Sequence, residues 1–237
     1  MSSDTPSTAM PCAVVTGSSN GIGRAIAEHL LAADWRVHGL DVAEPAFSHS
    51  AFRFTQVDLA DRTAIAGITD SLQQAQAMVH AAGILRIGPL GHLNADDADL
   101  MWRLHVGAAT ALADALLPAM AARGSGRVVL VGSRVAQGMP GRSQYAATKA
   151  ALIALARSWA CEVAPRGVTV NVVSPAATQT AMLSDPARAA SAPRLPPIGR
   201  LIRPEEIASL VAFLLSPAAA AITGQDIAIC GGASLPQ

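Results

Sequence analysis

The sequence predicts an α/β fold, a single doubly wound parallel sheet of about seven strands with helices on both faces. Three observations carry this expectation: short β-prone apolar runs alternate with longer stretches of helical period, the first run passes through clustered glycines into a helix, and no repeat or linker divides the chain. At 237 residues the chain is long enough to bury a substantial core. Residues 1–10 are polar, without a basic or an apolar leader region, and read as a disordered tail before a domain spanning 11–237.

The first run, Cys12 to Thr16, enters Gly17-Ser-Ser-Asn20-Gly21-Ile22-Gly23, after which Ile22, Ile26, Leu30 and Leu31 share one helical face. In this context glycines let the backbone approach a pyrophosphate, and the helix N-terminus offers free N–H groups and a positive dipole end. The second run, Trp35 to Leu40, ends in Asp41. A carboxylate there accepts both hydroxyls of an adenosine ribose and repels a 2'-phosphate, and no Arg or Lys directly follows Gly17 or Asp41. The pattern predicts NAD over NADP; an ordinary strand-end aspartate is the alternative.

Phe52 to Val57 alternates as a strand and leads to Asp58-Leu59, and Thr63 to Gln74 reads as a helix. Ala77 to His80 is a further strand, and the small residues of Ala81-Ala82-Gly83 leave room for a dinucleotide across the strand ends. Asp96 to Ala122 is a long helical pattern, broken only mildly by Gly107 and Pro118, and Arg127 to Val131 is the strand that delivers Ser133. The helix bearing Tyr145 extends to about Val163, and Val168 to Val173 is a strand ending in Ser174-Pro175. Residues 183–204 hold five prolines and no clear period, as a loop or short helices over a substrate pocket would. Pro204 opens a helix in the first position, with Glu205 and Glu206 placed for its dipole, and Asp226 to Cys230 closes the sheet.

Within this frame Tyr145-Ala-Ala-Thr-Lys149 has chemical content. Four residues apart on a helix, the two side chains share a face, and an ammonium beside a phenol favours phenolate. Tyr145, the only tyrosine in the chain, then exchanges a proton with a substrate oxygen that the Ser133 hydroxyl can hold. The same spacing alone arises by chance on many amphipathic helices, so the other motifs decide its meaning.

Composition removes other classes. Apolar residues make up 51% and charged residues 14%, with 17 basic and 17 acidic side chains, a balance that disfavours capture of nucleic acid or an acidic membrane. Aromatics are too few for a base-stacking platform. Cys12, Cys161 and Cys230 are odd in number and lack metal-ligand spacing, as expected of structural thiols in a reducing compartment, and no metal is expected. The apolar stretch Ile207 to Thr223 is interrupted by Ser209, Ser216 and Pro217, so it reads as a buried helix stopping near Ser216. A cytoplasmic protein is expected.

Taken together, the chain resembles the short-chain dehydrogenase/reductase family from Cys12 to Leu235, on five markers in family order: Thr-Gly-x-x-x-Gly-Ile-Gly at 16–23, Ala-Ala-Gly at 81–83, Ser133, Tyr145-x-x-x-Lys149, and Thr223-Gly224 before Gly231-Gly232. The resemblance implies a Rossmann-type fold and hydride transfer between a nicotinamide and a secondary alcohol or ketone. It implies Tyr145 as general acid/base, Lys149 lowering its pKa and holding the nicotinamide ribose, and Ser133 positioning the reacting oxygen. Gly17, Asn20, Gly21, Ile22 and Gly23 would cradle the pyrophosphate, Asp41 the adenosine ribose, and Asp58 and Leu59 the adenine. Ala81, Gly83 and Pro175 would border the dinucleotide, with Thr178 and Thr180 at the carboxamide.

The chain departs from the family pattern at three places: His105 stands where the family has a fourth catalytic residue, asparagine; His80-Ala81 replaces Asn-Asn; and Pro175-Ala176 replaces Pro-Gly. His105 is expected either to join the proton relay, with His105→Asn altering the pH dependence, or to pack locally. The stretch 81–88 and the Asn171 strand look similar to the branch that oxidises dihydrodiol acids to catechols, and Arg86, Arg134 and Arg142 are candidates to bind a carboxylate. A 3-oxoacyl reductase and a dinucleotide-binding regulator without chemistry are the alternatives. The resemblance also implies a homo-oligomer, dimer or tetramer, with no nucleic acid or membrane partner.

Overall fold

The structure is a computed structural model that describes residues 10–183 and 195–235. Most of the proposed tail and residues 184–194 of the proposed substrate loop lie outside them.

Seven strands form one sheet: β1 Cys12–Thr16, β2 Arg36–Asp41, β3 Phe52–Gln56, β4 Ala77–His80, β5 Gly126–Val131, β6 Val168–Pro175 and β7 Asp226–Ile229. Their spatial order is β3-β2-β1-β4-β5-β6-β7, and every pairing is parallel. The order reverses between β1 and β4, so connections leave in opposite directions there and open a crevice at the carboxyl ends of these strands. This is the doubly wound sheet the sequence predicts.

Unbroken apolar strands such as Val128-Val-Leu-Val131 follow from burial on both faces. Successive side chains alternate between the faces. Val14, Met78, Val128, Leu130, Val170 and Val172 pack against α4 (Ala108–Ala122) and α5 (Ser143–Val163). Ala13, Val15, Val79, Val129, Val131 and Val173 pack against α1 (Gly21–Ala32) and α6 (Pro204–Leu215). Helix α6 ends at Leu215 with Ser216 as its extended cap, as the interruption by Pro217 requires.

Two helices differ from expectation. The helix expected over 63–74 is a short α2, Arg62–Ala66, capped by the Asp61 carboxylate, followed by a 3₁₀ turn at Thr69–Leu72. Gly67 breaks the run; Ile65 and Leu72 are buried while Ala64 and Ile68 pack only partly against the core, a small apolar face on which to hold a longer helix. The long central helix is not uniform either. It begins as α3 (Ala95–Trp102), widens into a π turn at Arg103–Gly107, and continues as α4. By length and composition, 95–122 is the one helix among the described residues apolar enough to cross a membrane, and it contributes much of that surface to the core.

Candidate active site

A cavity of about 640 Å³ opens over the carboxyl ends of the central strands. Ten residues singled out from sequence line it: Ile22, Ala81, Gly83, Arg134, Arg142, Tyr145, Lys149, Pro175, Thr178 and Thr180.

Helix α5 buries Tyr145 and Lys149 one turn apart, with 9% and 4% of their surfaces exposed. The Lys149 ammonium lies 5.8 Å from the centre of the phenol ring and donates to the Val131 carbonyl at 2.9 Å. Burial lowers its pKa to about 8. Lys149 is also the only lysine in the sequence. Ser133 sits between the lining residues Gly132 and Arg134. Its oxygen accepts the Val135 N–H at 3.1 Å, capping a 3₁₀ turn, Arg134–Gln137, and so fixing where the hydroxyl stands.

The π turn brings His105 against this group. Its ring is fully buried and meets the Tyr145 ring edge-on, with centres 5.6 Å apart. Both ring nitrogens are engaged: Nε2 accepts the Ile84 N–H at 3.0 Å and Nδ1 bonds the Thr148 hydroxyl at 2.8 Å. Thr148 donates its own hydrogen to the Tyr145 carbonyl at 2.9 Å, so Nδ1 is the protonated nitrogen. Burial, then the positive charge of Lys149, hold the His105 pKa well below the ordinary imidazole value.

His80 is neutral for the same reasons, at about 3, with burial the largest cause and Lys149 the next. The Thr16 hydroxyl accepts the N–H groups of Ala81 and Ala82, both at 3.0 Å, and therefore donates to His80 Nδ1 at 3.0 Å. His80 Nε2 makes no full hydrogen bond but interacts with the Leu104 and His105 backbone in the π turn. Thr16 and Thr148, not anticipated as site residues, thus tie the 81–84 turn to β1 and, through His105, to α5. The available signal was position: one precedes the glycine cluster and the other stands three residues after Tyr145.

These bonds predict that His105→Asn, which keeps one donor and one acceptor, retains most turnover with an unchanged profile between pH 6 and 9. A pH–rate titration checks it. A moved limb would assign His105 to the proton relay.

The glycine turn is built for a close backbone approach. A Cβ at Gly17, where φ is +67°, would fall 2.9 Å from the Ala82 backbone, and one at Gly23 would fall 2.1 Å from the Gly17 carbonyl. Gly21, also at positive φ, faces Thr180. Asn20 begins α1 with no side-chain cap, so the first N–H groups of the helix remain for an external acceptor. Asp41 stands beside this turn, its carboxylate accepting the N–H groups of Ser19 at 2.9 Å and Ala43 at 3.0 Å. The residues therefore fit a dinucleotide, pyrophosphate at α1 and ribose at Asp41. Farther out, Asp58 closes its own turn by accepting the Ala60 N–H, and the Leu59 side chain is buried in the core.

Comparison with known proteins agrees with this geometry. The protein-family model described as "Enoyl-(Acyl carrier protein) reductase" matches residues 17–234. The 3-oxoacyl-[acyl-carrier-protein] reductase FabG of Vibrio harveyi is 38% identical over 235 residues, covering 93% of this chain and 96% of that protein. The 2,3-dihydro-2,3-dihydroxybenzoate dehydrogenase of Escherichia coli is 36% identical over 240 residues, with the same coverage. Among solved structures, a short chain dehydrogenase/reductase family protein is 33% identical with a TM-score of 0.85, covering 94% of this chain and 96% of that one. A 3-oxoacyl (acyl-carrier-protein) reductase from Agrobacterium tumefaciens with NADP bound is 29% identical with a TM-score of 0.85, covering 94% and 93%. With the parallel sheet, the glycine turn and the Tyr145–Lys149 pair all in place, the chain belongs to the short-chain dehydrogenase/reductase family of oxidoreductases.

Proposed function

We propose that the protein is an NAD-dependent oxidoreductase that converts a secondary alcohol or cyclic diol to a ketone. The observation that carries this reading is the burial of Tyr145 and Lys149 side by side at a cavity that also reaches Ile22, Thr178 and Thr180. The buried ammonium favours the phenolate form of Tyr145, which takes the proton of the substrate hydroxyl while Ser133 holds its oxygen. As the C=O bond forms, the C–H electron pair leaves as hydride, for which a bound nicotinamide is the acceptor. In reduction the same groups return the proton to the oxygen.

Lys149, which lines the cavity and spends one donor on the Val131 carbonyl, would also hold the nicotinamide ribose, and Thr178 and Thr180 the carboxamide. Asp41 supports NAD as the partner, because its carboxylate is pinned beside the glycine turn where a 2'-phosphate would otherwise lie. Tighter binding of NADH than NADPH is expected, by about 10- to 100-fold, with Asp41→Asn narrowing the gap. Fluorescence titration with the two reduced cofactors measures it. Equal or reversed affinity in the unmodified protein would sink the NAD assignment.

A cofactor-reduction screen with NAD and NADP against cyclic diols, hydroxy acids and sugar alcohols tests the activity. Dinucleotide binding without turnover of any of these would favour a regulator. The second reading, a 3-oxoacyl reductase, is supported by the named relatives and is distinguished by NADPH-driven reduction of 3-oxoacyl thioesters. The free cysteines are consistent with action in the cytoplasm, and exposed Trp102 and Phe213 offer contact surface for a homo-oligomer.

A further inference from the structure

The lining of the cavity has a charge pattern that hydride transfer does not require. Its charged lining residues are Arg134, Arg142 and Lys149, and among the described residues no carboxylate lines it. The chain as a whole is balanced at 17 and 17, so this is a local arrangement and not a consequence of composition. Elsewhere arginines meet acids: Arg24 pairs with Glu28, Arg86 with Asp97 at 3.3 Å, and Arg200 with Glu206 at 2.7 Å. Arg86, a carboxylate-binding candidate from sequence, does not line the cavity.

Arg134 differs. It is half-buried, directly follows Ser133, and begins the 3₁₀ turn that the Ser133 oxygen caps, so its backbone is held fixed relative to the reacting oxygen. Among the described residues no hydrogen bond or ion pair holds its guanidinium. Leu85, Val135 and Met139 line the same cavity and belong to one apolar cluster. A guanidinium in such a cavity calls for an oxyanion that forms paired charge-assisted hydrogen bonds.

We infer that Arg134 forms an anion subsite in this cavity, so that the substrate is a hydroxy acid or oxo acid with its carboxylate near the reacting carbon and an apolar body against Leu85 and Met139. The inference rests on reading the cavity as the hydride-transfer site. An acyl thioester on a phosphate-bearing carrier has the same charge chemistry in its distant phosphate, but none near the reacting carbon.

The test compares 3-oxocyclohexanecarboxylate and acetoacetate with their methyl esters and with the N-acetylcysteamine thioester of acetoacetate. Both kcat/KM with NADH or NADPH and calorimetric binding to the cofactor-loaded protein are measured. The expected result is a preference for acid over ester of about 10- to 100-fold in KM, the range of charge-assisted hydrogen bonds. Arg134→Gln collapses the ratio and Arg134→Lys restores part of it, with thermal melts confirming that both variants fold. A ratio near one, a preference for the thioester, an Arg134→Gln ratio equal to that of the unmodified protein, or failure of either acid to bind overturns the subsite. Acid binding that Arg134→Gln abolishes, with no turnover of any probe, upholds the subsite and overturns the oxidoreductase reading.

Discussion

Tyr145→Phe is expected to lower turnover by about 10²- to 10⁴-fold, the contribution of a positioned general acid/base, while the dinucleotide still binds. The substitution removes one oxygen from a ring that keeps its packing against His105, so stability should change little. Steady-state kinetics with cofactor titration checks both halves. Because Tyr145 is the sole tyrosine, phenolate absorbance in the unmodified protein reports this group alone, and its titration should vanish in the variant. Full turnover by Tyr145→Phe would leave the proposed chemistry without its proton carrier.

Lys149→Met is expected to act twice. Turnover falls by at least about 10²-fold, because the charge that favours phenolate is gone, and the phenolate titration of Tyr145 moves to higher pH. The second effect is on stability. In the folded, cofactor-free protein burial puts the Lys149 pKa at about 8, against an ordinary value of 10.5. Below about 8 both folded and unfolded chains carry the ammonium, and above 10.5 neither does. Between these limits the unfolded chain binds the extra proton, so stability rises with pH through the window, by on the order of 3 kcal/mol. Denaturant unfolding at pH 7, 9 and 10, compared with Lys149→Met, isolates this rise, since the other titrating groups are common to both proteins. Parallel curves for the two proteins would mean that the ammonium is not held in a desolvated site.

Much of the fold is legible in the sequence because its signals are local. A glycine cluster between a β-prone run and a helical period has few other solutions, and each strand lies within a residue or two of its expected span. The misjudged elements are those whose local pattern is shared by competing structures. Thr63 to Gln74 has acceptable helical composition, but its helix ends at Ala66 because too few side chains have a core to enter. Nothing in Arg103 to Gly107 announces a π turn, which depends on what packs around it: His105 satisfying Ile84 and Thr148, and His80 against its backbone.

The candidate site divides along the same line. Sequence by itself determined the doubly wound class, the glycine turn, Asp41, and the spacing of Tyr145 and Lys149, since period and backbone sterics act over a few residues. Tertiary structure alone decided the protonation states of His80, His105 and Lys149, the roles of Thr16 and Thr148, and which arginines line the cavity. Those properties depend on desolvation and on partners distant along the chain, as when Thr16 meets His80 or Lys149 meets Val131, and such encounters exist only once the sheet has closed over its helices.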